Sequence, residues 1–182
     1  MKLFSWIQDL KSPNENEDSE PPPLSPELNS RLAELEEMLV RDAMIPRALV
    51  IALDAQVQLH RVRRLKSAKV AHFPVYKGDL DQIVGWISKQ KVMELLNESS
   101  EDIDLEHYAQ PVAEVNENTS VADLADLFLK SASPFLIVKS DAGTTTGVMP
   151  LAEFVEIIFG IELSPVSGPV SEAPRLLRSH EL

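Results

Sequence analysis

The sequence contains no cysteine, which excludes disulfides, thiolate metal sites and a cysteine nucleophile. Its four histidines stand far apart, at positions 60, 72, 107 and 180. They show neither the close spacing of zinc ligands nor any association with a Gly-x-Ser-x-Gly nucleophile elbow. We therefore expect no zinc site and no catalytic triad, and we predict that the protein is not an enzyme.

Long hydrophobic runs and excess positive charge are also missing. The apolar stretch at 154–161 is far shorter than the roughly 20 residues that a membrane helix requires. The first ten residues lack the hydrophobic region and cleavage site of a signal peptide. Seventeen Lys and Arg oppose 29 Asp and Glu, and the formal net charge of −12 repels nucleic acids. We expect a cytoplasmic protein that binds no nucleic acid.

The two ends of the chain differ in composition from its middle. Within residues 1–30, an apolar set at helical spacing predicts a short amphipathic helix that contacts a partner or a membrane surface, packs on its own domain or frays: Leu3, Phe4, Trp6, Ile7 and Leu10. Proline and acidic residues then dominate 12–30, which is typical of a disordered linker. Residues 163–182, with proline and glycine and no apolar period, are expected to form a flexible tail.

The middle of the chain repeats one pattern twice. At an offset of 62 residues, Gly85 aligns with Gly147, and Phe73 with Phe135. Strands are expected at 49–51, 73–76 and 83–87 in the first copy, with helices at 57–67 and 89–96. In the second copy a unit beginning at 114–115 continues with a helix to 129, strands at 135–138 and 147–149, and a helix at 151–159. Each copy is therefore predicted to be a β-α-β-β-α unit, at 35–100 and 101–162. Because a unit of about 60 residues buries little surface alone, we expect an α+β body with pseudo-twofold symmetry.

Three motifs carry a resemblance to a known family. They are the opening segment V-R-D-A-M-I-P-R at 40–47, the strand Phe73-Pro74-Val75, and a strand that starts at Gly85 and continues into a helix ending at Leu96. Over residues 35–162 the chain resembles a tandem pair of cystathionine beta-synthase (CBS) domains, in particular those of the magnesium and cobalt efflux (CorC/HlyC) family. We expect the membrane-embedded and C-terminal accessory domains of that family to be absent. The resemblance implies a regulatory module that forms a homodimer and acts with a separate ion-handling membrane protein.

The resemblance also implies a nucleotide site in each copy. In CBS pairs that bind adenosine nucleotides, a strand ends with glycine, two apolar residues and Ser or Thr, and an Asp follows three positions later. The hydroxyl contacts phosphate and the carboxylate contacts ribose. The first copy keeps Gly85 and Ser88 but has Lys91 at the acidic position, whereas the second keeps Gly147 and an acid, Glu153, but has Pro150 at the hydroxyl position. The full set of expected ligand contacts is Val50, His72, Phe73, Pro74, Gly85, Ser88, Lys91, Val115, Phe135, Gly147 and Glu153.

These half-complete motifs predict weak binding of AMP or ATP, led by phosphate in the first site and by ribose in the second, with no metal. The alternative is a ligand-free interaction scaffold whose sites have decayed and whose amphipathic stretch makes the contacts.

Four further interpretations concern structural roles. The apolar helix positions face a second copy or their own core: Val92, Leu95, Leu96, Phe154, Ile157 and Ile158. The acidic run at 98–106 is a solvated linker in preference to a metal site, Asp79 and Asp81 are solvated turn residues, and Met44-Ile45-Pro46 fastens the entrance of the first unit.

Overall fold

The computed structural model describes residues 33–56, 69–98 and 103–161. The expected amphipathic stretch and linker at 1–30, the helix at 57–67 and the tail at 163–182 lie outside the described residues. The strands are β1 (Ile45–Pro46), β2 (Leu53–Asp54), β3 (His72–Lys77), β4 (Asp79–Ser88), β5 (Glu114–Asn116), β6 (Phe135–Lys139) and β7 (Thr145–Pro150). The helices are α1 (Val40–Ala43), α2 (Lys89–Glu98), α3 (Leu124–Ser131) and α4 (Leu151–Phe159). No helix in these ranges is long and apolar enough to cross a membrane.

The first unit contains a three-stranded sheet in the order β2-β3-β4. Strand β2 runs parallel to β3, and β3 and β4 form an antiparallel hairpin that turns at Gly78. The strand predicted at 49–51 is wrong, because Arg47–Leu49 form a 3₁₀ turn and the strand begins at Leu53. The Val50 N–H donates to the Arg47 carbonyl within this turn, so it is not available to a neighbouring strand.

The second unit contains a four-stranded sheet in the order β1-β7-β6-β5. Its edge strand β1 comes from the opening segment of the first unit. In this strand, Ile45 pairs with Val148 and Pro46 with Gly147. The interpretation that Met44-Ile45-Pro46 fastens the first unit is therefore wrong, since this segment joins the sheet of the second. Proline fits here because an edge strand leaves its nitrogen facing away from the ladder.

At the start of the second unit, the opening segment likewise pairs with a strand of the first unit. The backbone N–H groups of Gln110 and Trp86 each donate to the carbonyl of the other at 2.8 Å. Gln110 lies in the opening segment of the second unit, before β5, and Trp86 lies in β4 of the first. Each unit thus begins with a segment that pairs with the last strand of the other unit, and the two units form one body.

The two glycines singled out by the repeat permit this exchange. A Cβ on Gly85 would lie closer than 3.0 Å to the Gln110 carbonyl oxygen, and a Cβ on Gly147 equally close to that of Ile45. Both obstacles are backbone atoms of the crossing segment, which a side-chain rotation cannot move. Glycine is therefore required where the two backbones approach each other.

The register of the repeat differs from the one predicted. Ser88 pairs with His72, and Pro150, which lies 62 residues after Ser88, pairs with Phe135. The offset between β3 and β6 is therefore 135 − 72 = 63, so that Phe135 corresponds to His72 and Leu136 to Phe73. A shift of one residue moves a strand position to the opposite face of its sheet. The predicted alignment of Phe73 with Phe135 is wrong for this reason.

Burial agrees with the corrected register. Phe73 and Leu136 are fully buried, each in the core of its own unit, whereas Phe135 packs in a third cluster between the two sheets. The cores of the two units also contain the apolar helix positions, with Val92, Leu95, Leu96 and Phe154 buried and Ile157 and Ile158 packed against the core. Of the two alternatives for these positions, the structure shows packing within their own units.

Candidate ligand-binding cleft

The first predicted half-site lies where β4 leads into α2. Ser88 is the last residue of β4, and its Oγ accepts a hydrogen bond of 3.1 Å from the Lys91 backbone N–H. This bond caps the helix and occupies a lone pair on the hydroxyl oxygen, so the hydroxyl hydrogen can still donate to an acceptor such as phosphate. The positive end of the helix dipole lies at the same place.

Lys91 supplies a cation in the first turn of the same helix. Its Nζ lies 5.6 Å from the centre of the Tyr108 ring and 3.4 Å from a carboxylate oxygen of Glu94. The aromatic ring and the carboxylate therefore both attract the ammonium group. Tyr108 ends a 3₁₀ turn, Leu105–Tyr108, that precedes β5, and its side chain is exposed. The sequence prediction omitted Tyr108, because its position beside Lys91 depends on packing between distant segments that no local motif records.

His72 completes the first half-site on the neighbouring strand. It lies opposite Ser88, and its ring meets the ring of Trp86 edge-on, with centroids 5.1 Å apart. Partial burial lowers the pKa of His72 below its usual value of 6.5, because desolvation disfavours the charged imidazolium. The ring is therefore neutral at pH 7, and Lys91 is the cation of this half-site.

The second half-site, where β7 leads into α4, has different chemistry. Pro150 and Phe135 lie opposite each other and are buried, and Glu153 stands in the first turn of α4. Pro150 precedes the first residue of the helix and makes no side-chain cap. Because proline has no backbone N–H, position 150 offers a ligand neither a hydroxyl group nor an N–H donor. A carboxylate at this position can accept from ribose hydroxyls but repels phosphate.

A cleft between the two sheets forms a third feature. It is lined by Arg47, Val50, Pro74, Leu80, Ile83, Ile137, Thr145 and Val148, with both units contributing. Only two of the expected ligand contacts, Val50 and Pro74, belong to this lining. Leu80 stands at the opposite end of β4 from Ser88, but Pro74 of the lining pairs with Trp86, two residues before Ser88. The cleft therefore extends along the hairpin toward the first half-site. Phe73 and Val115 lie in the cores of their own units, and their contact with a ligand stays a prediction.

Asp81 lies at the polar edge of this cleft. Its carboxylate accepts from the Thr145 N–H at 2.7 Å and from the Arg47 guanidinium, while the Lys139 ammonium donates to the Asp81 carbonyl at 2.7 Å. The interpretation of Asp81 as a solvated turn residue is wrong, because three groups distant in sequence bind it. The hydrogen bond from Thr145 and the charge of Arg47 lower the pKa of the Asp81 carboxyl below its usual value of 3.8.

The lowered pKa predicts a pH dependence of stability. A carboxyl whose pKa is lower in the folded protein stabilises it above the usual pKa and loses this effect as the pH falls through the folded value. In urea unfolding, Asp81→Asn is expected to be less stable than the wild type at pH 7. The difference in midpoint should shrink below about pH 4. A difference that stays constant from pH 7 to pH 3 would contradict the assigned role of the charge.

The acidic run between the units shows contacts for two of its members. Asp104 accepts from the Glu106 N–H at 3.0 Å and so caps a 3₁₀ turn, and the Glu106 carboxylate binds the Lys77 ammonium at 2.7 Å. Among the described residues, no cluster of three metal-ligating side chains occurs. Glu101 and Asp102 lie outside the described residues.

Comparison with known proteins connects this geometry to a family. No family model matches the chain. The CBS domain of a bacterial CNNM/CorC family Mg²⁺ transporter, solved in complex with ATP, is 26% identical, with a TM-score of 0.64 over 77% of this chain and 100% of that one. The described residues form a tandem CBS pair resembling those of the CorC family. A CBS domain from Clostridium difficile 630 is similar to this CBS pair with 25% identity and a TM-score of 0.64, covering 70% of this chain and 98% of that chain.

Curated relatives agree with the structural ones. The UPF0053 protein YrkA of Bacillus subtilis (strain 168) is 25% identical over 136 residues, which cover 72% of this chain and 31% of YrkA. The magnesium and cobalt efflux protein CorC of Vibrio cholerae is 26% identical over 128 residues, which cover 70% of this chain and 44% of CorC. The chain thus spans about a third of the UPF0053 relative and less than half of CorC. The predicted α+β fold with two CBS units is confirmed.

Proposed function

We propose that this CBS pair is a regulatory module that binds an adenosine nucleotide weakly and acts with a membrane protein that exports magnesium or cobalt. The observation that carries the proposal is the first half-site, where the Ser88 hydroxyl caps α2 and the Lys91 ammonium of the same helix lies over the Tyr108 ring. A hydroxyl donor, a cation and an aromatic surface are the groups that phosphate and a purine base require. The similar CBS domain in complex with ATP supports this choice of ligand.

The link to metal efflux rests on the relatives alone. CorC of Vibrio cholerae is named for magnesium and cobalt efflux, and the ATP-bound CBS domain belongs to a Mg²⁺ transporter. A module of this kind would act through a change in its shape or in its affinity for the transport protein, and homodimer formation belongs to the same proposal. Catalysis is not part of it.

The ligand-free scaffold remains the second candidate because each half-site lacks one element. Lys91 stands where a ribose-binding carboxylate is expected in the first, and Pro150 removes the hydroxyl from the second. The loss of one hydrogen bond to a charged group weakens binding roughly ten- to a hundredfold. We therefore propose affinities for AMP and ATP in the high micromolar range or weaker.

Isothermal calorimetry with AMP and ATP tests the nucleotide proposal. We expect Ser88→Ala to weaken ATP binding about tenfold or more, because the phosphate loses a hydroxyl donor. Lys91→Met should weaken ATP more than AMP, since ATP carries more phosphate charge. Glu153→Ala should reduce binding at the second half-site, where ribose contacts dominate.

A matched control separates binding from helix capping. Ser120 Oγ also accepts a backbone N–H, that of Ala122 at 3.2 Å, but it lies at another turn of the second unit. Ser120→Ala should therefore lower stability without changing nucleotide affinity. Sub-micromolar binding that none of these substitutions changes would refute the assigned sites, and the absence of any heat signal would favour the scaffold.

A further inference from the structure

Four residues at one side of the CBS pair connect its two units. Asp81 belongs to the hairpin of the first unit, and Thr145 and Lys139 belong to the hairpin of the second. Arg47 follows β1 and reaches both hairpins, since its guanidinium donates to the Asp81 carboxylate and, at 3.1 Å, to the Thr145 carbonyl. We name Arg47, Asp81, Lys139 and Thr145 the Asp81 clasp.

The contacts of the clasp are denser than those of an ordinary surface ion pair. Asp81 receives bonds on its carboxylate from Arg47 and from the Thr145 N–H, and on its carbonyl from Lys139. Lys139 has a side chain only 13% exposed and lies 3.6 Å from a carboxylate oxygen of Glu114. Isolated exposed pairs contribute little because water and salt screen them, whereas a charge bonded to several fixed donors holds one geometry.

Within the described ranges, the equivalent positions across the pseudo-twofold axis form no such network. Pairing of Ile45 with Val148 and of Gln110 with Trp86 places Val112 at the position equivalent to Arg47. The register of the hairpins makes Gly143 equivalent to Asp81, Tyr76 to Lys139, and Ile83 to Thr145. None of these four residues is an aspartate, glutamate, lysine, arginine or histidine. The polar connection between hairpins is therefore one-sided.

We propose that the Asp81 clasp closes one side of the CBS pair, so that its release allows the two units to separate on this side. Apolar contacts between the sheets, among them Phe135, Ile137 and Val148, hold the middle of the pair together. The cleft lined by Val50, Leu80 and Ile83 lies directly behind the clasp and would widen on opening. This proposal is independent of nucleotide binding.

Distance measurement between the hairpins tests the clasp. Because the chain has no cysteine, Gln82→Cys and Thr144→Cys can be spin-labelled without side reactions. Both positions are exposed, and each is adjacent in sequence to a residue of the clasp. Double electron–electron resonance should give a narrow distance distribution in the labelled parent and a broader or longer one after Asp81→Ala.

Two further variants make the result decisive. Arg47→Met keeps most of the side-chain stem that lines the cleft but removes the charge, and it should broaden the distribution as Asp81→Ala does. Asp141→Ala removes a hairpin carboxylate whose partners, Asn116 and Asn118, lie within the second unit, and it should leave the distribution unchanged. The proposal is overturned if Asp81→Ala and Arg47→Met, folded by circular dichroism, keep the parent distance, or if Asp141→Ala changes it equally.

Discussion

Replacement of Gly147 by alanine is expected to lower the free energy of unfolding by about 2 to 4 kcal/mol. The new Cβ would lie closer than 3.0 Å to the backbone oxygen of Ile45 and to the sulfur of Met44. The sulfur ends a flexible side chain and can move, but the backbone oxygen cannot move unless β1 separates from β7. Because β1 is an edge strand of two residues, its pairing would be lost and the segment that opens the first unit would detach from the second.

Urea denaturation of Gly147→Ala and Gly143→Ala measures this effect against a matched control. Gly143 has a φ of +80°, but a Cβ added there would meet nothing within 4 Å, so alanine brings only the left-handed backbone strain of about 1 to 2 kcal/mol. Gly85→Ala should resemble Gly147→Ala, since the Gln110 carbonyl lies equally close. Equal losses at Gly147 and Gly143 would show that the crossing segments are not held at this distance.

Phe73→Ala should lower the free energy of unfolding by about 3 to 5 kcal/mol, because a fully buried aromatic side chain leaves a cavity in a packed core. Phe73 is 0% exposed and packs among Val75, Ile87 and other residues of the first unit. Phe159 carries the same side chain at 66% exposure, so Phe159→Ala should change stability by no more than about 0.5 kcal/mol.

The same denaturation experiment distinguishes a core position from a ligand contact. If Phe73→Ala is too unstable to purify, Phe73→Leu should still show a smaller loss, on the order of 1 kcal/mol, because it retains most of the apolar volume. If Phe73→Ala is as stable as Phe159→Ala, Phe73 is not part of the core. That result would favour its predicted role as a ligand contact.

The sequence predicted the fold and the hairpins because local patterns determine them. Apolar runs bounded by glycine and polar turns specify β3, β4, β6 and β7, and the repeat of Gly85 at Gly147 revealed the pair. The one-residue difference in register was missed because the hairpin from Val75 to its partner Gly85 is one residue longer than the hairpin from Val138 to its partner Gly147, and alignment of the two glycines does not reveal this.

Contacts between distant segments escaped prediction for a different reason. The pairing of β1 with β7, the position of Tyr108 beside Lys91 and the three donors around Asp81 depend on how the two units pack. No periodicity in the sequence records such packing. The strand-helix motif, which contains Ser88 and Lys91 in the first unit and Glu153 in the second, was therefore predictable, whereas residues brought in from elsewhere were not.

Because the opening segments are exchanged, the CBS pair, and not the single CBS unit, is the smallest part of this protein in which every sheet is complete. If the chain is divided between residues 98 and 103, the first fragment keeps β1 but loses its partner β7, and the second keeps β7 without its edge strand. Each fragment therefore carries a piece of the other's sheet.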